Sequence, residues 1–315
     1  MKKFFLILLT TIFTLCIVVI LGAGWFVGDY FVDYALKRGN DGSGLTPPPA
    51  YAAFGSKRLK QAHKPHYKAE NWHIQSKDGL KLQGTHFQPR NGSHKWVVLI
   101  HGYGGDQTYM WNMASIYLRH GYQVLTPDLR ASGTSEGQYV TLGSLESQDL
   151  VEWCNKISQT DPQGQIALHG VSMGAATELL ASANASLTNV KAVVEDSSYT
   201  NAYTFLLDTF VKNSSYPAKP ILFCANVMTK IRTGVFFSSA DPLTAVERSQ
   251  LPTLFIHGEK DKLVPPDMME QLFNASSSAD KEQLMVADAG HAMAYVKDSD
   301  LYFSTVFDFL DKNML

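Results

Sequence analysis

The sequence lacks the features by which nucleic-acid and metal proteins are usually read. Its formal net charge is −2, with 27 Lys and Arg against 29 Asp and Glu, so it offers no basic footprint to a phosphate backbone, and no nucleic acid is expected as a partner. Blocks of like charge and an acidic tail are absent. There is no H-E-x-x-H or C-x-x-C, and the 10 histidines do not gather at ligand spacings. Neither a metal nor a cofactor is expected. Cysteine is scarce: Cys16, Cys154 and Cys224 are the only three. Cys16 lies in an apolar run, which leaves one bridge at most, Cys154 to Cys224. A chain of 315 residues buries a large core without help from a disulfide, so both thiols are expected free and buried. No internal repeat is visible.

One thing the sequence does have is a long uncharged run. Between Lys3 and Asp29 every residue from Phe4 to Gly28 is uncharged. At about 1.5 Å per residue such a helix crosses a hydrocarbon core of roughly 30 Å, and it satisfies its own backbone, as lipid demands. Residues 1–28 are therefore expected to be a single transmembrane anchor. The rival is a signal peptide cut near Gly22, Ala23 and Gly24, which would release a secreted protein; its apolar region is normally shorter, about 7–15 residues. Lys2 and Lys3 favour an inside N-terminus, which places the rest of the chain outside the cytoplasm. Lys37 and Arg38 on the far flank weaken that bias. Tyr30 to Arg38 extends the helix, and Asn40 to Gly44 with Pro47, Pro48 and Pro49 breaks it. Residues 29–70 read as a juxtamembrane helix and a semi-rigid linker.

A folded domain is expected over residues 71–315. Trp72–Gln75 and Leu80–Phe87 alternate around Lys77, Asp78 and Gly79, a hairpin signal. Trp96–Ile100, Tyr122–Thr126, Gln165–Leu168, Val190–Val194, Thr253–His257 and Gln283–Val286 are short apolar runs of the kind buried on both faces of a parallel sheet. Helical patterns fall at Asp106–His120, Leu142–Ser158, Ala175–Ala183 and Asp298–Asp311. Strands alternating with helices predict an α/β fold with a mostly parallel central sheet covered on both faces. Residues 197–251 interrupt that rhythm and read as a small helical cap insertion. Its aromatic residues, Phe205, Phe210, Phe223, Phe236 and Phe237 among them, are expected to set acyl-chain preference.

Gly170-Val171-Ser172-Met173-Gly174 is a G-x-S-x-G sequence between a predicted strand and a predicted helix. A nucleophile on such a strained turn needs small neighbours. A serine hydroxyl also needs a base. His291 is the candidate, in the small-residue loop Asp288-Ala289-Gly290-His291-Ala292. Asp261, in the turn His257-Gly258-Glu259-Lys260-Asp261, is the candidate acid that orients the imidazole, with Asp196 as the alternative. The backbone N–H groups of Met173 and Tyr103 are the candidate oxyanion hole, Tyr103 lying in His101-Gly102-Tyr103-Gly104-Gly105. His101, His257 and His169 read as structural, and Arg130 as a tie for its own loop.

HGYGG at 101–105, DLRASGTSEG at 128–137, GVSMG at 170–174, HGEKD at 257–261 and AGHA at 289–292 stand in the order of the α/β-hydrolase superfamily, which the domain resembles over nearly its whole length. It looks most like bacterial membrane-anchored serine hydrolases of the peptidase- and esterase-like group. One departure is Ala131 at the tip of the second motif, where many relatives carry glycine. The resemblance implies hydrolysis of an ester, thioester or amide through an acyl-enzyme, most like a carboxylesterase on the outer face of a cell membrane. A serine peptidase acting on short peptides is the alternative, and a non-catalytic binding module on the same fold is the reading from another class.

Overall fold

The computed structural model describes residues 2–39 and 63–314; the linker expected at residues 40–49 lies outside them. Eight strands form one sheet: β1 (Lys68–Gln75), β2 (Lys81–Gln88), β3 (Lys95–Ile100), β4 (Gln123–Pro127), β5 (Gln165–Val171), β6 (Val190–Asp196), β7 (Thr253–Gly258) and β8 (Lys281–Val286). Their spatial order is β1-β2-β4-β3-β5-β6-β7-β8. β1 and β2 form the expected hairpin, and β2 meets β4 antiparallel; every other pair is parallel. The central strands are apolar throughout because helices cover both faces, and β7 is buried along its whole length. β4 lies on one side of β3 and β5 on the other, so the chain changes direction of travel between them. Crevices at such switch points are where open α/β sheets bind ligands.

The helices form two layers. On one face α2 (Trp111–Arg119) and α10 (Ser299–Asn313) pack through Met113, Tyr117, Tyr302 and Val306 against Val97, Leu99 and Val124. On the other, α3 (Ser144–Thr160) and α4 (Met173–Ser182) pack through Leu150, Trp153 and Leu179 against Val98, Ile100 and Leu168. The insertion is helical, as expected: α5 (Ala202–Asn213), α6 (Ala218–Thr233) and α7 (Pro242–Val246). Two further helices, α8 (Asp267–Ala275) and α9 (Ala294–Lys297), were not expected. Both are short, and α8 is held by only three buried side chains, Met268, Met269 and Leu272.

The N-terminal segment departs most from expectation. α1 (Lys2–Ala35) is one continuous helix of 34 residues. Its apolar N-terminal part is exposed, but Phe31, Val32, Ala35 and Leu36 are buried in the main core. Val140 N–H then donates to the Leu36 carbonyl at 2.8 Å, and Arg38 N–H to the Gln138 carbonyl at 2.7 Å. The stretch expected to be juxtamembrane therefore supplies core residues up to Leu36, and the strand expected over Trp72–Gln75 begins at Lys68. Cys154 is buried and free as expected; Cys224 is also free but only half-buried.

Arg130 joins three distant pieces of chain. It forms a bidentate pair with Asp149 of α3, both bonds 2.7 Å, and reaches Asp78 in the β1–β2 turn at 2.9 and 3.1 Å. Arg130 and Asp149 are both almost fully buried, so removing one leaves an uncompensated charge. We predict that Arg130→Ala lowers stability by about 3–5 kcal/mol, read by denaturant titration; a loss within experimental error of zero would refute the assignment.

Candidate active site

Ser172 sits alone between the last residue of β5 and the first of α4. Its φ of 58° and ψ of −118° lie where a side-chain-bearing residue is strained. The turn closes only because its neighbours are small. A β-carbon on Gly170 would collide with the Gly174 carbonyl, and one on Gly174 with the Ile100 carbonyl oxygen of β3. Hydrogen bonds hold the strained turn: Ser172 N–H donates to the Asp196 carbonyl at 2.8 Å, and Ala176 N–H to the Ser172 carbonyl at 3.0 Å.

The structure brings the three candidate residues together. His291 Nε2 is 2.8 Å from Ser172 Oγ, and His291 Nδ1 is 2.6 Å from Asp261 Oδ2. With the carboxylate accepting at Nδ1, the imidazole presents Nε2 to the hydroxyl as an acceptor. Asp261 Oδ1 accepts the N–H groups of Leu263 and Val264 at 2.8 and 3.0 Å. His257 Nε2 lies 3.2 Å from Asp261 Oδ2 and 3.1 Å from the Val264 carbonyl; both are acceptors, so this nitrogen carries a proton. Burial alone would raise the Asp261 carboxyl, but the His291 charge and the hydrogen bonds from His257 and His291 outweigh it and hold the group well below the usual carboxylate range. Sequence reasoning placed His257 in a supporting role without its partner; the structure gives it Asp261.

Asp196 is turned elsewhere. It accepts from Ser197 Oγ at 2.7 Å and from Tyr302 OH at 3.0 Å. Tyr302 OH is 2.8 Å from His169 Nε2, and His169 Nδ1 is 2.7 Å from Tyr117 OH. Burial pushes the His169 imidazole down to about 3, so it is neutral and bridges two hydroxyls. This chain of buried polar groups was not legible in the sequence, because Tyr117 and Tyr302 carry no motif. His101 is likewise structural: Nδ1 is 2.8 Å from the Gly102 carbonyl, and Nε2 accepts Leu129 N–H at 3.1 Å.

The loop carrying Tyr103 lies against Ser172. A β-carbon on Gly102 would be 3.4 Å from Ser172 Cβ and 3.9 Å from Ser172 Oγ. Met173 is the first residue of α4. The Tyr103 hydroxyl reaches away to donate to the carbonyl of Ala35, at the end of α1, a contact with no sequence signal. Ala131 adopts φ 59°, so alanine occupies the left-handed turn for which glycine was expected.

Beside Ser172 opens a pocket lined by the 102–105 loop, Tyr109, Met110, Met113, Val171, Ala292 and Tyr295. None of these side chains is charged, and none comes from residues 197–251. The aromatic residues expected to set acyl-chain preference are not among the residues that line this pocket. Phe205 stacks on Tyr199, Phe237 on Tyr203, and Phe210 meets Phe31 of α1. Phe205 and Phe237 are buried in the main core and Phe210 touches α1, while Phe223 is 65% exposed.

Known proteins resemble this chain in sequence and fold. A family model described as alpha/beta hydrolase fold matches residues 95–216, and one described as serine aminopeptidase matches residues 204–298. The uncharacterized protein YqkD of Bacillus subtilis is 28% identical over 240 residues, 76% of this chain and 78% of the relative. Protein bem46 of Schizosaccharomyces pombe is 24% identical over 229 residues, 70% of this chain and 69% of the relative. An esterase of Pyrococcus furiosus superposes with a TM-score of 0.64 at 23% identity, over 82% of this chain and 96% of that one. At that identity the likeness speaks for the fold.

The depressed Asp261 carboxyl implies a pH dependence. Its folded value lies below its unfolded value of about 4, so its contribution to stability is present above that pH and is lost as pH falls through the folded value. We predict that the stability gap between the parent chain and Asp261→Asn shrinks as pH falls below about 4. Denaturant titrations across that range check it; a gap that widens on acidification would contradict the assignment.

Proposed function

The chain belongs to the α/β-hydrolase superfamily, and from that premise we propose that it is a serine hydrolase that cleaves an ester, thioester or amide through an acyl-enzyme. The observation that carries this reading is the Ser172–His291–Asp261 relay, with 2.8 and 2.6 Å links, placed at a strained strand-to-helix turn. His291 Nε2 takes the proton as Ser172 Oγ attacks the substrate carbonyl carbon. The oxyanion that forms is received by the N–H groups of Tyr103 and Met173, aided by the N-terminus of α4. His291 returns its proton to the leaving group as the acyl bond breaks. Water repeats the sequence to release the acid. Asp261 stays ionised and stabilises the imidazolium.

The uncharged pocket favours a carboxylesterase-type activity. A peptidase that recognises a free N-terminus needs a carboxylate to meet the ammonium group, since a buried charge without a partner is costly. The pocket-lining residues include no Asp or Glu. The partial match to a serine aminopeptidase model keeps the peptidase as the second reading.

Membrane attachment belongs to the same proposal. α1 has a window of mean hydropathy 3.0 with none of it buried, as a spanning helix requires. Retention rather than cleavage is supported by Gly24 and Gly28, which pack directly on α6. Lys2 and Lys3 favour an N-terminus inside, which would put the hydrolase domain outside.

Two outcomes are expected. Ser172→Ala loses about four to six powers of ten in turnover on p-nitrophenyl esters and no longer reacts with a fluorophosphonate probe. Wild-type turnover in that variant would overturn the mechanism, and faster cleavage of aminoacyl arylamides than of esters by the parent chain would favour the peptidase. Protease added to intact cells degrades the domain; protection there, with digestion only after lysis, would reverse the orientation.

A further inference from the structure

α6 of the insertion lies alongside the part of α1 that leaves the apolar span. A β-carbon on Gly24 would be 3.3 Å from Cys224 Sγ, and one on Gly28 would be 2.5 Å from the Cys224 carbonyl oxygen and 3.2 Å from Met228 Cβ. Asp29 pairs with Arg232. Partner numbers rise together along both helices, so the two run in the same direction. Glycines four residues apart permit this close approach.

Depth along α1 follows from its length. A hydrocarbon core takes about 20 helical residues, which carries a span begun at Phe4 to the neighbourhood of Ala23. Trp25 and Tyr30 follow, both exposed, as aromatic residues do at a membrane interface. Residues 224 to 232 of α6, level with 24 to 29 of α1, then lie at interfacial depth.

At that depth the insertion turns apolar side chains outward. Phe223, Val227 and Ile231 recur every four residues on α6 and are all exposed. At the α5–α6 junction Tyr216 is 73% exposed and Val211 62%. Clustered exposed apolar groups mark a contact surface. Charge accompanies them: between residues 202 and 233 the basic residues are Lys212, Lys219, Lys230 and Arg232, and the only acidic one is Asp208, in a chain whose net charge is −2.

We propose that this face of the insertion is a second membrane-contact surface, seated in the leaflet from which α1 emerges, with anionic phospholipid as its partner. The proposal rests on reading α1 as a spanning helix. Phe223, Val227, Ile231, Val211 and Tyr216 enter the boundary between headgroups and acyl chains, and Lys212, Lys219 and Lys230 of the same segment supply the positive charge that anionic headgroups attract, in the manner of an interfacial amphipathic helix. Because Tyr103 bonds to Ala35 at the end of α1, the same docking sets the nucleophile near the lipid surface, within reach of esters dissolved in it.

The test uses the full chain in vesicles of mixed zwitterionic and anionic phospholipid. With Cys16→Ala and Cys224→Ala removing the accessible thiols, nitroxide labels are placed through Tyr216→Cys and Phe223→Cys, with Leu15→Cys as the span control and Ser304→Cys, an exposed position of α10, as the aqueous control. The expected result is several-fold greater relaxation by oxygen than by a water-soluble nickel complex at 15, 216 and 223, and the reverse at 304. Aqueous behaviour at 216 and 223 with lipid behaviour at 15 would overturn the proposal and leave the span intact. Aqueous behaviour at 15 would overturn both. Spin–spin broadening at 223 that persists in detergent without lipid would assign the face to a second copy of the chain and also overturn it.

Discussion

The close approach of Gly174 to the end of β3 is the contact on which the rest of the site depends. A β-carbon there would collide with the Ile100 carbonyl oxygen, so only glycine lets α4 start directly behind the switch between β3 and β5. Once α4 starts there, Ser172 is lifted out of the sheet at φ 58°, and the loop after β3 lies beside it. Ser197 and Ala292, at φ 63° and 52°, share the strain around the same point. Each such residue costs on the order of 1–3 kcal/mol and persists only when its surroundings over-determine it. Here the restraints are specific: Ser172 N–H on the Asp196 carbonyl, Ser197 N–H on the Ile256 carbonyl, and Ala292 N–H on Ser197 Oγ.

Behind the elbow the interior is polar but largely uncharged. His169 is held neutral between Tyr117 and Tyr302, and burial pushes the Glu195 carboxyl up to about 8. Asp261 stands apart as the carboxylate kept ionised, because two imidazoles and two backbone N–H groups face it. Two acids at the ends of neighbouring strands thus take different parts: Asp196 joins a hydrogen-bonded framework, and Asp261 faces the proposed base. A hydrogen-bonded interior of this kind fixes side-chain directions that apolar packing leaves adjustable.

α1 is more than a tether. Its last turns bury Phe31, Val32 and Ala35, Leu36 pairs with Val140, and Ala35 accepts from Tyr103 in the loop beside Ser172. A helix that would anchor the chain is thereby continuous with the wall of the proposed active site. Phe210 of the insertion packs against Phe31 at that junction, and the pocket takes its walls from the 102–105 loop, residues 109–113 and the segment after His291.

The sequence by itself determined the local chemistry. G-x-S-x-G, the glycine-rich loop at 101–105 and the turns holding Asp261 and His291 were legible because each depends on neighbours a few residues away, where spacing dictates backbone shape. The strands were legible for a similar reason: burial on both faces demands unbroken apolar runs. The tertiary structure separates the two carboxylates weighed for His291: Asp196 ends β6 and accepts from Tyr302, while Asp261, in the turn after β7, faces His291. It also decided that the pocket excludes the insertion and that α1 ends inside the core. Those outcomes rest on contacts such as Tyr103 to Ala35 and Gly28 to Cys224, between residues 68 and 196 positions apart. No local pattern specifies such pairs; they follow from how whole elements pack.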